Sequence, residues 1–136
     1  MIAAIILVIS TATLLQFFVS YARSVIAASS KHELSPQARE VSGVLNHDVR
    51  GEEFVRLLQL IGLCPVPGGD TNRVRAVSGY FRLLGMAKTL MGRVAPALLR
   101  WVETERGSCA YFAAVTLDRR IAFSRELMAQ QMSNRI

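Results

Sequence analysis

The chain has 136 residues, 51% of them hydrophobic, with 16 Lys+Arg against 10 Asp+Glu and a net charge of +6. That length holds one domain, the apolar N-terminus accounts for much of the hydrophobic excess, and two cysteines exclude a disulfide scaffold. Only Lys31 and Lys88 are lysine, so the basic character is carried by arginine.

Met1 to Ala22 contains no charged side chain. A helix of that length rises about 33 Å, enough to cross the ~30 Å hydrocarbon core of a bilayer. A secretory signal would carry a basic n-region and a shorter apolar core. Here no Lys or Arg precedes Arg23, although Ser20-Tyr21-Ala22 could pass as a cleavage site. A soluble core helix would usually carry charge over such a length. A transmembrane anchor over residues 1–26 fits best. Basic residues lie only on its C-terminal side, at Arg23, Lys31 and Arg39, which places the N-terminus outside and the domain in the cytoplasm.

At 100° per residue, Ser10, Thr13, Gln16 and Ser20 share one arc with Arg23 and Ser24, and Ile5 and Ile9 intrude on it. A primary amide such as that of Gln16 gains from a partner across a helix interface. The stripe therefore points to another transmembrane helix, from a second copy or a partner protein. The competing account has these groups bonding back to their own helix.

Residues 27–34 read as a juxtamembrane linker or a frayed continuation of the anchor. Residues 35–136 read as a helical cytoplasmic domain. Ser35-Pro36 is a helix-start signal, and a short helix is expected from Pro36 to about Leu45. Asn46-His47-Asp48 and Gly51 break it. Glu52 and Glu53 then suit a first turn, followed by an apolar face of Phe54, Leu57, Leu58 and Ile61. Cys64-Pro65-Val66-Pro67-Gly68-Gly69 is the clearest loop.

Asp70 is placed to cap a helix over Thr71 to Met91 with Val74, Val77, Phe81 and Leu84 buried. Gly92 and Pro96 separate it from a helix over Pro96 to Arg106, which Gly107 is expected to stop. Ser108 would cap a last helix to about Met132. Its opening run, Cys109 to Leu117, is uncharged all round and fits a buried central helix. A buried strand is the rival there, because Tyr, Phe, Val and Thr favour sheet. The expected fold is all-α: a single transmembrane helix followed by a bundle of about four to five helices.

No motif points to catalysis. Pro67-Gly68-Gly69-Asp70-Thr71 lacks the spacings of phosphate loops, and an acidic residue at the helix start would repel a phosphate. His32, His47, Cys64 and Cys109 lack the paired spacing of structural zinc. Cys64-Pro65 is too short to argue for haem. His47-Asp48 with Ser42 or Cys64 has no nucleophile-elbow context, and Glu103 and Glu105 face different sides of a helix. Neither cofactor nor metal is expected.

The strongest signal outside the anchor is basic. Arg75, Arg82 and Arg93 fall on one helical line, with Arg73, Arg119, Arg120 and Arg125 adding charge. Such charge is ordinarily a solvated face, and here 10 carboxylates dilute it. For a tethered domain the nearest anion is a lipid headgroup, an acidic protein is a further partner, and nucleic acid is a weaker candidate. The expected function is that of a non-catalytic interaction or accessory subunit. The alternatives are a tethered enzyme with a dispersed site and a membrane-held nucleic-acid regulator.

Overall fold

The computed structural model describes residues 1–30, 51–93 and 95–135. These form four helices and no strand: α1 over Ile2–Ser30, α2 over Gly51–Leu63, α3 over Asp70–Met91 and α4 over Pro96–Ser133. The expected helix Pro36–Leu45, the linker beyond Ser30, and Ser42, His32, His47, Lys31 and Arg39 lie outside the described residues.

Helix α2 begins with Glu52 and Glu53 in its first turn, where the helix dipole favours negative charge. It buries Phe54, Leu57 and Ile61 at i, i+3, i+7 spacing. Pro65 stops it, since a residue before proline avoids the α region. The turn into α3 rests on Gly69, whose φ of 91° is the left-handed conformation that a Cβ disfavours. Helix α3 then buries Val77, Tyr80, Phe81 and Leu84.

Three expectations fail locally. Asp70 does not cap α3: Gly69 occupies the cap position, and Asp70 is the first helical residue, buried with its carboxylate turned to Arg120. Gly107 does not stop a helix either, because α4 runs unbroken from Pro96 to Ser133. A glycine interior to a helix costs about 1 kcal/mol. Val102, Cys109, Ala110, Phe112 and Ala113 are buried on either side of it, and each buried large apolar side chain returns about 1.5–3 kcal/mol. Packing therefore outweighs the propensity. Ser108 Oγ donates back to the Thr104 carbonyl at 3.1 Å rather than capping.

Helix α4 is the centre of the bundle and touches each of the other three. Its run Cys109 to Leu117 is helical and largely buried, so the strand alternative is not adopted. The Phe54 and Phe81 rings stack at 3.9 Å between centroids, and the Arg106 guanidinium lies 4.6 Å from the Phe81 centroid.

Helix directions follow from the cross-contacts. Asp70 meets Arg120 while Tyr80 meets Glu105, so α3 and α4 are antiparallel. Phe18 lies against Gly79, whereas Val25, Ala28 and Ser29 share a cleft with Asp70 and Arg73. Helix α1 is therefore antiparallel to α3 and parallel to α4.

Candidate membrane interface

Helix α1 changes character at Phe18. Every residue from Met1 to Phe17 is exposed around the whole circumference of the helix. From Phe18 onward one face packs on the domain, with Phe18, Val19 and Val25 partly buried and Ala22 and Ile26 in the core. Phe17 is 74% exposed and Ala22 is 0% exposed, five residues apart. The most apolar 18-residue window within Ile2–Ser29 has a mean hydropathy of 2.4, and the helix is long and apolar enough to cross a membrane. An exposed apolar surface of this extent marks a segment that contacts a membrane or another protein.

The polar stripe is exposed throughout: Ser10, Thr13, Gln16 and Ser20 all face outward. Thr13 Oγ1 donates to the Ile9 carbonyl at 2.8 Å and Thr11 Oγ1 to the Leu7 carbonyl at 2.7 Å, so the threonines are satisfied within the helix. Ser24 Oγ donates likewise to the Tyr21 carbonyl. Among the described residues, the Gln16 amide makes no such bond.

Where α1 enters the domain, its first charge is held by a clasp. Arg23 Nη2 lies 3.4 Å from Glu105 Oε1 on α4. The other carboxylate oxygen accepts the Tyr80 hydroxyl of α3 at 3.0 Å. Burial, and then the Glu105 carboxylate, push the Tyr80 phenol well above its usual range. Glu105 thus ties three helices together at one level. Helical periodicity signals its position, because Val102, Glu105, Cys109 and Phe112 recur on one face.

The arginines separate into different environments. Arg75, Arg82 and Arg93 are exposed. Because α3 runs antiparallel to α1, Arg93 lies toward the apolar end of the molecule and Arg75 toward the opposite end. Arg73 and Arg119 line a cleft of about 420 Å³ with Tyr21, Ser24, Phe112 and Asp70. This cleft lies at the end of the bundle away from the apolar stem, and it mixes both signs of charge.

Arg120 is not part of a surface patch. It is 3% exposed, with Nη1 donating to the Ile61 carbonyl at 2.6 Å and Nε lying 3.5 Å from Asp70 Oδ2. Its place on the buried face follows from Cys109, Phe112, Ala113 and Thr116 at helical spacing, a signal that its charge obscures.

The chemistry available is limited. Cys64 and Cys109 are free thiols. Cys109 is fully buried, and burial pushes its thiol up to about 12, with Glu105 adding to the shift and Arg106 opposing it. Among the described residues no three His, Cys, Asp or Glu side chains come together to hold a metal. Comparison with known proteins returns no matching family model, no matching curated protein and no matching solved structure.

Proposed function

We propose that this chain is a single-pass membrane protein whose helical domain docks directly on the base of its own anchor and acts through contacts rather than catalysis. The observation that carries the reading is the change at Phe18: apolar exposure all round before it, core packing after it. A soluble core helix would be buried along its length, and α1 is not. A signal cleaved after Ala22 would strip Phe18, Val19 and Ala22 from the hydrophobic core, which argues for retention of the segment.

The positive-inside rule supports a cytoplasmic domain with the N-terminus outside. Lys88, Arg93 and Arg100, on the side of the domain from which α1 leaves, reinforce it. The stripe of Ser10, Gln16 and Ser20, with Thr13 already satisfied, is the face offered to another transmembrane helix. With the stem in a bilayer, Arg93 would be the nearest of these arginines to the headgroups, Arg82 the next and Arg75 the farthest.

The test is a transmembrane association assay on full-length protein. Gln16→Leu weakens association by about 0.6–2 kcal/mol if the amide bonds across an interface, while Thr13→Val leaves it unchanged. Equal association for wild type and Gln16→Leu contradicts the helix-contact reading.

A further inference from the structure

The connection between α3 and α4 points the same way as the apolar stem of α1. Taking the level of the Phe18–Gly79 and Arg23–Glu105 contacts as a base, α3 continues from Gly79 to Met91 and rises about 18 Å. Helix α4 reaches back from Glu105 to Pro96 over about 13 Å. Both run toward the N-terminal end of α1. Burial on α1 nevertheless stops at Phe18. The hairpin therefore diverges from the stem, and its tip rises less along the stem axis than those helix lengths.

The surface of that hairpin tip is unlike a solvated loop. Met86, Leu90, Met91, Leu98 and Trp101 are all exposed, Leu90 by 76% and Trp101 by 44%. Between them stand Lys88, Arg93 and Arg100, with Glu103 paired to Lys88 at 3.5 Å. Exposed aliphatic side chains, one tryptophan and an excess of positive charge make up the composition of a surface that enters the headgroup layer of a bilayer. The arginine and lysine heads can reach phosphate while their stems lie along apolar chains.

We infer that the α3–α4 hairpin tip, residues 86–93 and 95–101, is a second membrane contact, wedged into the interfacial layer of the leaflet that faces the domain. The inference rests on the anchor reading above and adds to it a posture for the domain. The stem crosses the bilayer, the apolar packing of Phe18, Ala22 and Ile26 fixes the domain against its base, and the tip dips into the same leaflet beside it. Two attachments of one packed bundle would hold the domain at a set height and rotation.

Trp101 is the only tryptophan in the chain, so it reports on this contact without labelling. Full-length protein is reconstituted into phosphatidylcholine vesicles containing phosphatidylglycerol. Nitroxide-labelled lipids carry the quencher either near the headgroup or at the chain end. The expected result is a blue-shifted Trp101 emission, quenched more strongly by the headgroup-proximal nitroxide. The variant Leu90→Ser/Leu98→Ser, altered only at exposed positions, loses part of that quenching at unchanged helix content. Emission typical of water with quenching by neither lipid, in protein that co-sediments with the vesicles, overturns the wedge and leaves the anchor standing. A blue shift without quenching also overturns it, because a protein contact then covers Trp101. Stronger quenching from the chain end places the tip in the hydrocarbon core and contradicts an interfacial site. Protein that does not partition into the vesicles overturns the anchor and the wedge together.

Discussion

Glu105 holds Arg23 and Tyr80 at once, one carboxylate oxygen for each, at 3.4 Å and 3.0 Å. The Arg23 side chain is 56% exposed and that of Glu105 only 13%. Solvent screens an exposed charge, so the arginine contributes little, on the order of 0–1 kcal/mol. The buried hydroxyl–carboxylate bond matters more, because losing the acceptor strands the Tyr80 hydroxyl at a cost of about 1–3 kcal/mol. Glu105→Ala is expected to destabilise the domain by that larger amount and Arg23→Ala by the smaller. Denaturant titration of the two variants in the same detergent checks the order.

The Asp70–Arg120 pair closes the far end of the bundle, with side-chain exposures of 8% and 3%. Removing one partner of a buried pair costs about 3–5 kcal/mol, since the other charge stays buried. Asp70→Ala is expected to cost toward that range. The double variant Asp70→Ala/Arg120→Met restores part of the loss, because no buried charge remains. Thermal melts of both variants decide it. A double variant no more stable than Asp70→Ala would show that the Arg120 bond to the Ile61 carbonyl outweighs its pairing with Asp70.

Alkaline pH bears on Cys109 and Tyr80. The Cys109 thiol is held at about 12 when folded, against its usual 9.0, and the Tyr80 phenol is raised above its usual 10.0. An acid whose pKa is raised by folding stays protonated in the native state where the unfolded chain has already released its proton. The unfolded state then binds fewer protons, so stability falls as pH rises. This contribution is complete below pH 9 and is lost progressively between about 9 and 12. Midpoints measured from pH 7 to 11 should decline over the alkaline part of the range. At neutral pH, folded protein should show one fast thiol, the half-buried Cys64, and one protected thiol, Cys109.

The long apolar first helix, the all-helical class and the buried run after Cys109 were legible because each depends on local periodicity or composition. The cap at Asp70 was misread because its carboxylate answers a residue 50 positions away, a pairing no local pattern carries. The same pairing removes Arg120 from the basic surface. The stop at Gly107 was misread because packing on both sides of it holds the helix straight. A Cβ at Gly107 would meet nothing within 4 Å. Gly107→Ala should therefore stabilise the domain by about 0.5–1 kcal/mol, readable as a higher midpoint; a lower one would indicate a break there. The clasp at Glu105 and the direction of the α3–α4 hairpin are tertiary relationships, visible only once α1 is seen to dock.

The central claim is that the chain is divided at Phe18 into a lipid-facing stem and a docked base. Alkaline carbonate extraction of membranes carrying either the intact chain or Phe17–Ile136 tests it most directly. The account predicts that the intact chain stays in the membrane pellet. Phe17–Ile136 keeps Phe18, Val19, Ala22 and Ile26 for the core, so it is released in helical, cooperatively melting form. Release of the intact chain by carbonate, or a Phe17–Ile136 fragment as resistant to extraction as the whole, would contradict it.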